Sequence, residues 1–122
     1  MEKEVDVLTL CKRLIELTKE EKCAWKETSE TNRYKLSLKN GAVEIYHYIP
    51  PQFDIMNKSY YEVSLYDKGQ YRYATYKGTN EAEEYNQTFR ELYILVLNFM
   101  ETIRRRKIAQ LFEELDEETS KR

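Results

Sequence analysis

His47 is the only histidine in the chain, and a general base needs an orienting partner and a nearby nucleophile. No spacing in the sequence pairs it with either. It follows Val43 and Ile45 on the apolar side of an alternating stretch, where it is expected to be packed and hydrogen-bonded. Cys11 and Cys23 lie twelve positions apart, without a second cysteine pair or clustered histidines. No zinc spacing exists, and the two thiols are expected to be reduced, buried, small hydrophobic groups. Gly41, Gly69 and Gly78 each fit a turn or strand break rather than a phosphate-cradling loop. Glu113-Glu114 and Glu117-Glu118 fit a solvated helix face. These residue types assign no catalytic residue, no metal site and no cofactor, and they argue against an enzyme.

Any remaining site must be built from tyrosine, and the elements decide where each ring goes. Val5, Leu8, Cys11 and Ile15 recur at helical spacing, with Leu10, Leu14 and Leu17 as an adjacent stripe. They predict a helix from Glu4 to about Lys22. Trp25 is expected to anchor the turn into a sheet, with Lys26 to Thr31 as a polar connection. From Arg33 to Ile49 apolar and polar residues alternate around Asn40-Gly41, a strong hairpin signal. A two-residue turn there sets Leu38 across from Val43, Leu36 across from Ile45 and Tyr34 across from His47. Pro50-Pro51 ends the strand, and Gln52 to Lys58 is a loop with Phe53, Ile55 and Met56 to tuck in.

A second hairpin spans Tyr60 to Tyr76. A three-residue loop, Asp67-Lys68-Gly69, with Gly69 left-handed, places Tyr71, Tyr73 and Thr75 across from Leu65, Val63 and Tyr61. A tighter turn at Lys68-Gly69 would bring Arg72 and Ala74 to the core face instead, and the first arrangement is preferred because it keeps Arg72 out. Gly78 breaks the strand, and Asn80 with Glu83 forms a capping box. Tyr85, Phe89, Leu92, Val96, Phe99 and Ile103 make a long helical stripe. Residues 92–97 are apolar all round, which implies burial all round. Arg104 to Lys107 interrupt the stripe and read as solvated heads over an apolar groove. Ile108, Leu111, Phe112 and Leu115 resume it in a second phase, so a kink or a separate short helix is expected.

The fold class is α+β: an N-terminal helix, a four-stranded antiparallel sheet of two hairpins, a long C-terminal helix and a short terminal helix, with the helices on one face of the sheet. Residues 1–116 form a single domain and 117–122 a charged, frayed tail. The expected core is Leu8, Cys11, Ile15, Trp25, Leu36, Leu38, Val43, Ile45, Val63, Leu65, Phe89, Leu92, Val96 and Phe99.

The chain has eleven tyrosines against four phenylalanines and one tryptophan, so much of its apolar surface has a polar tip. Strand alternation turns Tyr34, Tyr61, Tyr71 and Tyr73 toward the helices. It turns Tyr46, Tyr48, Tyr60, Tyr66 and Tyr76 outward, beside Arg33, Lys35, Lys39, Glu44, Glu62 and Arg72, with Arg33 opposite Tyr48 and Tyr60 opposite Tyr76. Five rings on one open face exceed scattered exposure and make a candidate interaction surface: Tyr46, Tyr48, Tyr60, Tyr66, Tyr76, Arg33 and Arg72. Ile94 and Leu97, on the all-round apolar segment, are candidates for self-association, most simply as a two-fold dimer.

The bulk composition narrows the partner. The 122 residues carry 22 acids and 20 bases, a net charge of -2, so no global field draws in a polyanion. A single-stranded nucleic-acid platform would also use aromatic rings on a sheet, but no matching basic-glycine-aromatic string is present. The longest apolar run is far short of the roughly 20 residues that cross a membrane. The first residues lack a signal peptide's basic start and apolar stretch, and a cytoplasmic location is expected.

Leu17-Thr18-Lys19-Glu20-Glu21-Lys22, then Trp25, two hairpins and a helix containing Phe89-x-x-Leu92-Tyr93, resemble a loose set of short bacterial proteins with no assigned activity. The resemblance spans residues 8 to 100. This chain differs in having Glu21 where glycine is common, and in its basic run and late helix. The resemblance implies a bacterial or mobile-element accessory protein and carries over no catalytic or ligand residue. Together these features suggest a small non-enzymatic protein-interaction module that also associates with itself. The alternative is a small-ligand or nucleotide binder with a tyrosine-walled pocket.

Overall fold

The computed structural model describes residues 6–54, 56–79 and 81–120. Helix α1 spans Val7–Lys19 and helix α2 spans Glu83–Ser120. Between them lie β1 (Lys26–Glu27), β2 (Arg33–Leu38), β3 (Gly41–Tyr48), β4 (Tyr60–Asp67) and β5 (Arg72–Gly78). The sheet is an antiparallel meander in the order β1-β2-β3-β4-β5. It therefore has five strands, not four. The additional strand β1 is only two residues long, so it shows no alternation that could be read from sequence.

Asp6 caps α1, its carboxylate accepting from the Thr9 N–H at 2.8 Å. The expected start at Glu4 lies outside the described residues. At the other end the chain turns through Glu21, whose φ of 58° is left-handed. The Glu21 and Lys22 N–H groups donate to the carbonyls of Thr18 and Leu17, the closure glycine usually provides. The helix thus ends before Lys22 and delivers Trp25 to the core. Trp25 is 2 % exposed, and its Nε1–H donates to Thr18 Oγ1 at 3.0 Å.

The first hairpin pairs Leu36 with Val43, Tyr34 with Ile45 and Arg33 with Tyr46. This register is two residues away from the expected one, because Lys39 and Asn40 form the turn. A shift of two keeps every side chain on its face, so alternation could not distinguish the registers. Gly41 is needed for proximity: a Cβ there would collide with the Tyr66 carbonyl of β4.

The second hairpin departs further. Its loop is Lys68-Gly69-Gln70, closed by Asp67 and Tyr71, and Gln70, not Gly69, is left-handed, with φ 66°. A register shift beside Leu65 and Tyr66 then pairs Tyr66 with Arg72 but Leu65 with Ala74. This bulge inserts Tyr73 as an extra residue and reverses the faces beyond it. Ala74 and Tyr76 turn toward the helices with Leu65 and Val63, while Arg72 stays outside. The expected inward positions of Tyr71 and Tyr73 are corrected: they are 75 % and 66 % exposed. The bulge keeps Arg72 out of the core while Ala74 faces inward, a combination that neither regular turn allows.

Gly78 is the last residue of β5 rather than a break. A Cβ on it would lie 2.8 Å from Asn86 Cα, so the glycine allows α2 to cross close to the strand. The expected cap at Asn80 lies outside the described residues. α2 runs unbroken for 38 residues, about 57 Å at 1.5 Å per residue. The expected separate short helix is absent, since Arg104 to Lys107 are good helix formers that alter the surface and continue the helix. Positions 117–120, expected as tail, lie in α2.

The core joins α1 (Val7, Cys11, Leu14, Ile15), Trp25, the sheet (Leu36, Val43, Ile45, Val63) and α2 (Phe89, Leu92, Tyr93, Val96). Of the expected core, Leu38 is 54 % exposed at the end of β2, and Leu8, Leu65 and Phe99 are half-buried. Phe53 and Met56 stay outside the core at 87 % and 86 % exposure, while Ile55 is not described. Tyr76→Ser is expected to destabilise by about 2 kcal/mol and Tyr73→Ser by less than about 0.5 kcal/mol, measured by urea unfolding. Equal effects would mean the bulge is misplaced.

Candidate functional site

Three groupings of polar and aromatic side chains emerge from this frame. The first is on the outer face. Cross-strand neighbours there are Arg33 with Tyr46, Tyr46 with Glu62, and Tyr48 with Tyr60. Arg33 sits between two carboxylates, 2.9 Å from Glu30 and 3.2 Å from Glu44, and lies 4.2 Å from the centre of the Tyr46 ring. Tyr66 Oη donates to Glu44 at 2.5 Å. Burial works against the Arg33 charge, but Glu30 and Glu44 more than offset it and raise its pKa. Burial, then the bond to Glu44, raises the Tyr66 pKa above 10.0. Tyr48 stacks on Tyr60 at 4.8 Å, and Lys77 lies 5.2 Å from the Tyr60 ring centre.

Of the residues singled out from sequence, Tyr46, Tyr48, Tyr60, Tyr66, Arg33 and Arg72 thus share the outer face, and Tyr76 does not. Tyr76 packs on Tyr85 of α2, 6.3 Å between ring centres. The outer rings are half-buried and tied to neighbouring charges, and Glu44, Glu62 and Ser64 beneath them are buried. At one side a cleft of about 390 Å³ opens between the Thr28–Glu30 connection and the second hairpin loop, lined by Arg33, Glu44, Tyr66, Tyr71 and Arg72 among others. Glu30 and Glu44 balance Arg33 and Arg72, so the cleft presents no net positive charge.

The second grouping is on the inner face. His47 stacks on Tyr61 at 4.3 Å and meets Tyr93 edge-on at 5.2 Å. Tyr34 lies 6.0 Å from Tyr93. Burial lowers the His47 pKa below 6.5, and burial together with Tyr34 and Tyr61 pushes Tyr93 up to about 12. Burial likewise pushes the Cys11 thiol to about 12, far from the range of a reactive thiolate. Both cysteines are free and buried. Among the described residues no group of three His, Cys, Asp or Glu side chains is placed to hold a metal.

The third grouping lies along α2, where the helix leaves the body. An apolar groove of about 530 Å³ runs between Trp25 and Phe99, Met100 and Ile103, with Arg104 and Lys107 over it. Arg104 pairs with Glu27 at 3.1 Å and Arg106 with Glu21 at 3.1 Å. From Arg104 to Ser120 every residue is exposed. Ile108, Leu111, Phe112 and Leu115 are 49 %, 59 %, 64 % and 56 % exposed, and their spacing puts them on one face. Ile94 and Leu97, at 43 % and 37 %, lie on that same face about two to three turns before the basic run. The stripe was visible in the sequence, but the expected kink detached it from Ile94 and Leu97.

No protein-family model matches the chain, and no curated protein or solved structure does. Among the described residues no helix is long and apolar enough to cross a membrane.

Two outcomes test the geometry. Glu44→Ala is expected to destabilise by about 2–4 kcal/mol, because it leaves the sheltered Arg33 and Tyr66 without their shared acceptor; Glu62→Gln serves as the comparison variant. For His47 the folded pKa is below the unfolded value of 6.5. Its contribution is therefore complete above that pH and is lost as pH falls through the folded pKa. Urea midpoints on the two sides of pH 6.5 should show a fall in the wild type that His47→Gln reduces.

Proposed function

We propose that this protein is a non-enzymatic interaction module that associates with itself through the exposed length of α2. The observation that carries the reading is the stripe of Ile108, Leu111, Phe112 and Leu115 on a helix that has left its own domain. Apolar side chains at three- and four-residue spacing are what one helix offers another. A helix of that length standing free is marginal in water, and association both buries the stripe and supports the helix. The only histidine is enclosed by tyrosines, which favours a structural part for it. The resemblance to short bacterial proteins suits an accessory role.

A second reading attaches to the outer-face cleft, whose Arg33, Glu44 and Tyr66 form a preorganised polar group. It would take a small neutral or zwitterionic ligand with hydrogen-bonding groups rather than a nucleotide, since the charges balance.

Light scattering after size exclusion is the test. The expected mass is twice 14.8 kDa at high micromolar concentration. Leu111→Glu with Leu115→Glu should return the protein to monomer with its domain still folded by near-ultraviolet circular dichroism, since both side chains are exposed in the single chain; the melting temperature should fall by the part that association contributed. A wild-type monomer at that concentration overturns the reading. A stabilising compound in a thermal-shift screen, lost in Tyr66→Phe, would then favour the cleft.

A further inference from the structure

The stripe on α2 is flanked by charges in an order that selects how a second copy must lie. Arg105 and Asp116 are eleven residues apart, close to three helical turns, so they run along one flank of the stripe. Lys107 and Glu118 are also eleven apart and run along the other flank. Each flank therefore begins basic and ends acidic. All four positions are exposed. Arg104 and Arg106 are already held by Glu27 and Glu21 of the body. Among the described residues Arg105 pairs only with Glu101 of its own helix, at 3.4 Å.

Resting on the self-association proposed above, we infer that residues 104–120 of α2 pair antiparallel with the same segment of a second copy, about a two-fold axis between Leu111 and Phe112. In that register Ile108 faces Leu115 of the second copy, and Leu111 faces its Phe112. A two-fold axis perpendicular to the helices brings each flank against the same flank of the other chain. Arg105 then lies within two residues of Asp116 of the second copy, and Lys107 within two residues of its Glu118. Symmetry doubles these to four opposite-charge pairs around an apolar centre, the arrangement that sets orientation in paired helices. The acids at the carbonyl end of α2, where the helix dipole favours cations, would receive the basic turn of the second copy.

The alternatives place like charges together. A parallel pair brings opposite flanks into contact, setting Arg105 against Lys107 and Asp116 against Glu118. An antiparallel pair shifted to cover the whole stripe from Ile94 to Leu115 has its axis at Arg104-Arg105 and stacks basic turn on basic turn. The charges thus assign self-association to the late stripe rather than to Ile94 and Leu97.

Charge exchange and cross-linking test the arrangement. R105E/K107E should weaken the dimer at least about tenfold, and the four-fold exchange R105E/K107E/D116K/E118K should restore it. Under mild oxidation Ile108→Cys mixed with Leu115→Cys should give the mixed disulfide dimer and little of either like pair; the native cysteines are buried. Helix content by circular dichroism checks that each variant is folded. A wild-type monomer would overturn both this inference and the proposed function. A dimer that ignores the charge reversal, is not restored by the exchange, or cross-links Ile108→Cys to itself would overturn the antiparallel register and leave self-association standing.

Discussion

Phe89, Leu92 and Val96 are fully buried where α2 crosses the sheet, and the rest of the architecture is arranged around that contact. They share one core with Ile45 and Val63 of β3 and β4 and with Cys11 and Ile15 of α1, and α2 touches both the sheet and α1. A five-stranded sheet with one wet face has a single apolar face to cover, and one helix cannot cover it alone. The crossing needs a close approach that Gly78 permits. It also directs the helix: once anchored over β3, β4 and β5, an unbroken 38-residue helix runs out beyond the core.

That overrun gives α2 two different environments. Its first half is held by a core, and its second half meets solvent on all sides. The join is pinned by ion pairs from Arg104 and Arg106 to Glu27 and Glu21. Glu21 occupies a left-handed position that glycine would fill at lower cost, yet its carboxylate is the one that Arg106 meets. Exposed ion pairs add little stability singly; these two lie where the free length leaves the body. The outer face of the sheet shows the opposite economy, since its tyrosines are largely committed to Arg33, Glu44 and Lys77.

Much of this was legible in the sequence. Period-two alternation identifies the four longer strands and the faces of β2, β3 and β4, period-three-and-four spacing identifies both helices, and the lone tryptophan marks Trp25 as the anchor. The failures share a cause. The first hairpin slipped by two residues, a change to which alternation is blind. The second misplaced Tyr71, Tyr73 and Tyr76 because one extra residue at a bulge reverses every face beyond it. The basic run interrupts an apolar stripe and so reads as a break, although it does not interrupt the helix.

The sequence by itself determined the inventory: an α+β chain, the residues able to pack, the stripe at Ile108 to Leu115 and the charges beside it. Local periodicity is sufficient for these, because side-chain direction repeats with the backbone. The tertiary structure alone decided which tyrosines face outward, that β1 joins the sheet edge, and that the late stripe shares one continuous helix with Ile94 and Leu97. Bulges, edge pairing and the point where a helix outruns its sheet depend on contacts between segments distant along the chain, and no single window of sequence contains them.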